Sequence, residues 1–389
     1  MSIVLNRTVA ARSLANFISR LSFRMAFTIT YVIDSDAHLE LIESIRVEQT
    51  IEFPYRLAPS WIQEEIVGKV ISIESQSSDK VKVKISYHEG IAGGELTQFL
   101  NLLFGNVSLF PRVLIQEIEL PSSFTNTFKG PRFGISGMRK LLGVTKRPFL
   151  MTALKPMGLN VSQLAEMAAT LARGGIDIIK DDHSLANQPW ATWRERVEIV
   201  SKAVNEANQK YGRNALYAPS LNRPTEQFFE SARYAKQKGC GALLVLPGIC
   251  GYDAMRAIAD DDSIALPVLS HPALLGTFVM NTHHGFSPGI TFGTLVRLAG
   301  GDMTIFPSNG GRFSFTLEQC NSVVKAAQEP LGNLATSSAT LAGGMTIERV
   351  PDLVRDFGND ITILIGGALQ DGNPLENALR LREAVESYA

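Results

Sequence analysis

Gly174-Gly175-Ile176-Asp177-Ile178-Ile179-Lys180-Asp181-Asp182-His183 is the stretch from which the fold is read. An apolar run of this length, entered through two glycines and left through four polar residues, predicts a buried parallel strand with chemistry at its C-terminal end. Seven further short apolar runs repeat the pattern. The eight predicted strands are 148–153, 176–180, 216–219, 243–246, 267–270, 303–306, 334–337 and 361–365. Helical patterns separate most of them, over 161–172, 193–211, 225–238, 291–298 and 317–327. Eight strand–helix units predict a C-terminal (β/α)8 TIM barrel, an α/β class fold.

The chain before this barrel reads differently. Strand-like runs at 27–33, 68–74, 80–87 and 110–119 mix with helical runs at 39–48 and 95–103. That mixture predicts an N-terminal α+β sandwich domain over 26–125, with the barrel over 126–389. Residues 1–24 carry Arg7, Arg12, Arg20 and Arg24 and no acid. Such a stretch resembles an organelle transit peptide. The preferred reading is an over-extended start, with Met25 as the first residue of the protein.

The 389 residues carry a formal net charge of −1, which points to neither nucleic acid nor an anionic membrane. No apolar run is long enough to cross a bilayer. Cys240, Cys250 and Cys320 lie too far apart for a metal motif and suggest a reducing, cytoplasmic compartment. A small-molecule site therefore has to carry the function.

In a barrel of this kind the reactive groups lie at the strand C-termini. Lys180 and Asp182 alternate onto one face, and His183 follows them. Asp182 and His183 are candidate ligands of a divalent cation. Lys180 joins them only if CO2 converts its amine to a carbamate; otherwise it pairs with Asp181 or Asp182 as a buried ion pair. Lys155 ends the preceding strand and is either a proton carrier or a snorkelling side chain at the mouth. Gly343-Gly344 and Gly366-Gly367 follow the last two strands, where barrels bind phosphate; as single pairs they also read as plain turns. His271 follows the fifth strand as a candidate acid, base or hydrogen-bond donor. His283-His284 reads as solvent-exposed.

Together these residues resemble the RuBisCO large-chain superfamily. The resemblance covers nearly all of the chain after Met25. It rests on Phe104-Gly105-Asn106, Gly130-Pro131, Lys155-Pro156, Gly174 to Asp177, Lys180 to Asp182, Gly300-Gly301-Asp302, Gly343-Gly344 and Gly366-Gly367. It implies Mg2+ held by carbamylated Lys180 and Asp182, with Lys155 in the active site. It also implies a homodimer with shared sites, in which Asn106 reaches the partner's barrel.

The departures redirect the function. His183 stands where the family has a metal-binding glutamate. Pro272 replaces an arginine, Ile305 a phosphate-binding histidine and Ala342 a serine, all in one of two phosphate pockets. Arg312 stands where the mobile loop has its catalytic lysine, and the two differ in shape and titration. The glycines of the other pocket remain. The implied protein is a RuBisCO-like enzyme that enolises or isomerises a monophosphorylated keto-sugar, such as a methylthio-ribulose phosphate. The alternatives are a decarboxylase or transcarboxylase-hydrolase of a 3-oxo acid phosphate, with Arg312 or Arg223 holding the carboxylate, and a binding protein without catalysis. With one phosphate left without its charge-assisted partner, ribulose 1,5-bisphosphate should not be carboxylated. Incubation with labelled CO2 should place no label in 3-phosphoglycerate above background.

Overall fold

The computed structural model describes residues 26–36, 38–313 and 315–388. The expectation for residues 1–25 lies outside the described residues. The chain divides into two compact units. One holds the described residues up to Phe128 with Thr277–Ser287 and Leu331–Asn333; the other holds Lys129–Gly276, Pro288–Pro330 and Leu334–Ala389.

The first unit is built on a five-stranded sheet of β1 (Ala26–Asp34), β2 (Lys69–Ser75), β3 (Lys80–His88), β4 (Leu114–Glu119) and the short β10 (Gly285–Phe286). In β3, Lys80, Lys82 and Lys84 alternate with buried Val81, Val83 and Ile85, the period of a half-buried strand. β1 lies between β3 and β4 and is antiparallel to both. Phe27 stacks on Tyr87 and meets Phe99 edge-on, so the helix Leu96–Phe104 packs through its aromatic ring. The strand predicted from 110 begins only at Leu114, after a 3-10 turn, Asn106–Leu109, that carries Asn106.

The second unit is the barrel. Its strands are β5 (Phe149–Leu154), β6 (Ile178–Asp181), β7 (Leu216–Ala218), β8 (Leu243–Val245), β9 (Val268–Ser270), β11 (Met303–Pro307), β12 (Ser338–Ala342) and β13 (Ile361–Leu364). They run parallel in the order β7-β6-β5-β13-β12-β11-β9-β8. A parallel bridge between Ser220 and Leu244 closes the ring, supported by Leu221 N donating to Leu244 O at 2.8 Å. Phe149, Met151, Ile178, Leu244, Leu269 and Met303 belong to its apolar core. Two of the barrel helices start on capping boxes, Asn160 with Gln163 and Thr316 with Gln319.

Two elements differ from expectation. The seventh strand was expected at 334–337 and lies at Ser338–Ala342. The earlier segment spends its backbone elsewhere: Leu334 O and Ala335 O accept from the buried Arg297 guanidinium at 3.0 and 3.1 Å. Ala342 therefore ends the strand, and Gly343 follows directly. The helix expected at 291–298 is a π-helix, Gly289–Thr294, followed by an α-helical turn, Leu295–Leu298. A Cβ on Gly293 would lie 2.4 Å from Ala326 Cβ, so glycine lets this widened turn press onto the helix Leu317–Gln328. Among the described residues no helix is long and apolar enough to cross a membrane.

At the N-terminal ends of β5 and β6, Asp177 receives both Arg147 terminal nitrogens at 2.7 Å and Leu150 N at 2.8 Å. Both charged groups are buried. Removing Arg147 leaves buried Asp177 with Arg382, at 3.4 Å, as its remaining charged partner. Arg147→Met should cost about 3 kcal/mol of stability, measured as a shift of the urea unfolding curve.

Candidate active site

The register of β5 on β6 pairs Ala153 with Lys180 and Leu154 with Asp181. The next residues, Lys155 and Asp182, therefore emerge side by side. Lys155 Nζ lies 2.8 Å from Asp182 Oδ2. His183 Nδ1 lies 3.0 Å from Asp182 Oδ1, which also accepts from Ser184 N at 3.2 Å and Ser184 Oγ at 3.0 Å. Asp182 is buried, and burial would raise its pKa. The hydrogen bonds from His183 and Lys155 and the charge of Lys180 instead hold it well below the usual carboxylate range.

Alternation sends Asp181 to the opposite face. There it accepts from Arg196 Nε at 3.1 Å, Tyr217 Oη at 2.9 Å and Ser220 N at 3.0 Å. Asp181 and Arg196 are both fully buried. The alternative that made Lys180 an ion-pair partner of Asp181 or Asp182 is not the arrangement observed. Lys180 Nζ donates to the Asp181 carbonyl at 3.1 Å, and among the described residues it forms no carboxylate pair. Burial first, and then the neighbouring charge of Lys155, bring its pKa down to about 8 against the opposing pull of Asp182 and Asp181.

His271 completes the cluster. Its ring stacks on His183 with centroids 4.6 Å apart and planes 14° apart. Burial and the charge of Lys180 hold its pKa well below the ordinary value. Its Nδ1 accepts from Ala273 N at 3.2 Å, which leaves Nε2 as the N–H of a neutral ring.

The loops after β12 and β13 carry the glycine pairs. Gly343 and Gly344 have φ of +93° and +91°, a region that favours glycine. A Cβ on Gly366 would lie 3.7 Å from Lys155 Cε, which places this loop beside the lysine. The N–H groups of Gly343, Gly344, Gly366 and Gly367 donate to no backbone carbonyl among the described residues.

Arg312 N donates to Gly343 O at 3.0 Å, so its loop lies against the first glycine pair. Arg312 is exposed, with its guanidinium over the Phe313 ring at 4.9 Å, and it forms no ion pair among the described residues. Arg223 is held by Gln227, Ser231 and the face of Trp193. Asn106, in the first unit, donates to Glu48 Oε1 at 2.8 Å. His283 is exposed as expected, whereas His284 meets the Phe104 ring at a tilt, with centroids 5.1 Å apart, and its Nδ1 is buried. Sequence reading missed Ser184, Arg196, Tyr217 and Glu48. Only Ser184, next to the motif, was within its reach.

The described residues contain no group of three or more His, Cys, Asp and Glu side chains arranged to hold a metal ion. Asp182 supplies a carboxylate and His183 an imidazole. The cluster's further anionic donor would have to come from Lys180 as a carbamate, and its low pKa suits that modification. On those terms the donor set fits a hard divalent cation.

Residues 134–378 match the family described as "Ribulose bisphosphate carboxylase large chain, catalytic domain". The chain is 35% identical to a 5-methylthioribulose-1-phosphate isomerase of Rhodospirillum rubrum, covering 89% of this chain and 90% of that protein. It is 33% identical to a 2,3-diketo-5-methylthiopentyl-1-phosphate enolase of Bacillus licheniformis, over 79% and 76% respectively. The solved structure of a Rubisco-like protein from Rhodopseudomonas palustris superimposes with a TM-score of 0.85 at 35% identity, covering 93% of this chain and 98% of that one.

Lys155 lowers the pKa of Lys180 and also occupies Asp182, which would raise it. Lys155→Met removes the first effect and releases the second. Lys180 should then titrate above about 8. Titration of 13C-dimethylated lysines by NMR reads this directly; an unchanged or lower value would contradict the assignment.

Proposed function

This chain belongs to the RuBisCO large-chain family, among its RuBisCO-like proteins, and we propose that it enolises or isomerises a monophosphorylated keto-sugar, such as a methylthio-ribulose phosphate, without fixing CO2. The observation that carries this reading is the β5–β6 register. It sets a charged amine, Lys155, against the only carboxylate of the cluster and leaves a second, buried amine, Lys180, without one. The isomerase and enolase named among the relatives support the same class of reaction.

In this reading Asp182, His183 and Lys180 as a carbamate hold Mg2+. The ion, when bound, polarises the substrate ketone and stabilises the oxyanion formed next to it. The free N–H groups of Gly343, Gly344, Gly366 and Gly367 take the single phosphate and fix the sugar chain across the mouth. Lys155 Nζ, beside Gly366, moves a proton at the carbon next to the ketone. Nε2 of neutral His271 donates to a substrate oxygen and stays uncharged at neutral pH. The neutral fraction of Lys180 supplies the nitrogen that bonds to CO2, losing its proton as the carbamate forms. Asn106 belongs to the same proposal as the residue that a homodimer lends to its partner's site. Arg312 closes over the substrate in place of the family's loop lysine. The relatives compared are named as an isomerase and an enolase, and Arg223 is held by Gln227, Ser231 and Trp193, so decarboxylation is not proposed.

Exchange of solvent deuterium into phosphorylated ketoses, followed by NMR, tests the reading. Exchange should need Mg2+ and should rise after preincubation with bicarbonate. Lys180→Ala should slow it about 1,000-fold. Exchange indifferent to both Mg2+ and CO2 depletion would show that Lys180 acts as a free amine and that the proposed metal site is wrong.

A further inference from the structure

The N-terminal ends of the barrel strands carry a second polar cavity, remote along the strands from the lysine cluster. Its volume is about 150 Å3. Gly175 and Asp177 line it just before β6, Gly212, Arg213 and Asn214 just after the helix Trp193–Tyr211, and Arg382 from the last helix, Pro374–Glu386.

The charges in this cavity do not cancel. Asp177 is fully engaged by Arg147, by Leu150 N and, at 3.4 Å, by Arg382. Arg382 also binds Glu386 and the Gly175 carbonyl. Arg213 differs from both of these arginines. Its Nε is buried without a hydrogen-bond partner, and among the described residues its side chain has no carboxylate partner. Three guanidinium groups thus meet two carboxylates. A buried donor left without an acceptor is uncommon and calls for a missing partner.

The backbone keeps this place open. Gly175 has φ +88°, and a Cβ there would lie 3.3 Å from Arg382 Cγ and 3.7 Å from Arg213 Cζ. A side chain at 175 would press on Arg382 and come into contact with Arg213. A guanidinium in a small cavity with one excess positive charge is suited to an oxyanion that accepts from its fork of N–H groups.

We propose that this cavity binds a phosphate group, with Arg213 as its charged anchor. The group is either the free ion or the end of a small phosphate ester. Gly143 also lines a cleft of about 800 Å3, which presents Ser136, Lys140 and Thr145 beside the Arg139–Asp360 ion pair and has room for the rest of an ester. The site is separate from the glycine pairs assigned to the substrate. Those follow the C-terminal ends of β12 and β13, whereas this cavity lies where β6 begins.

Crystals of the full-length chain soaked in selenate, examined by anomalous diffraction, test the proposal. A peak is expected against Arg213. It should vanish in Arg213→Gln, while any peak at Gly343 and Gly366 persists. Calorimetry with inorganic phosphate should show at least a tenfold loss of affinity for the corresponding event in Arg213→Gln and partial retention in Arg213→Lys. Displacement of the selenate by ribose 5-phosphate at lower concentration than by inorganic phosphate assigns an ester; the reverse order assigns the free ion. The proposal is overturned if wild-type crystals show no peak there, if the peak survives Arg213→Gln, or if neither phosphate compound displaces it. The wild-type soak decides even if the variants do not fold. Its outcome is independent of Mg2+ and bicarbonate, so its failure leaves the catalytic reading untouched.

Discussion

The buried bond set of Asp181 is the constraint on which the site depends. Lys180, Asp181 and Asp182 are consecutive, and a strand throws neighbours to opposite faces. Once Arg196, Tyr217 and Ser220 fix Asp181 in the outer layer, Lys180 and Asp182 must face inward. A slip of one residue would exchange the outer carboxylate with the one that pairs with Lys155. The fully desolvated Arg196–Asp181 pair makes that slip costly, because either charge alone would be buried without compensation.

With Asp181 withdrawn, the mouth of the barrel is left with two amines and one carboxylate. Lys155 and Lys180 compete for Asp182, and Lys155 has it in this structure. Lys180 is then a buried amine that gains little from being charged, which is why its pKa falls to about 8. Both histidines lie against this positive cluster, and the more buried one, His271, is kept neutral. The group that reads as a reactive motif is thus an electrostatic imbalance. Its chemistry follows from which side chain lacks a counter-ion.

Much of this was legible in the chain. The barrel strands announce themselves as short apolar runs, since strands buried on both faces admit little else. Lys155, Lys180 and Asp182 were readable because strand ends carry the chemistry in this architecture. What was not legible depended on distant partners. The seventh strand moved because Arg297 takes the carbonyls of Leu334 and Ala335, a bond across dozens of residues. The roles of Arg196 and Tyr217 needed the register that brings them to Asp181. The π-helix arose where Gly293 presses on Ala326, a contact that periodicity does not reveal.

The substitutions at Ile305 and Ala342 have a physical consequence beyond the loss of two polar groups. Ile305 is 3% exposed and belongs to the apolar cluster with Leu269 and Met303. Ala342 packs against the same cluster. The place that a histidine and a serine would have kept polar has been absorbed into the barrel core. Restoring one polar residue there would bury it among hydrocarbon before any anion arrived, and an unpaired buried polar group is itself destabilising. A second phosphate placed there would meet the side chains of Ile305 and Ala342, which offer it neither charge nor hydrogen bonds. Meanwhile Gly343, Gly344 and Gly366 keep free N–H groups on the neighbouring loops. In the proposed reading this asymmetry favours a substrate with one phosphate, through packing as well as electrostatics.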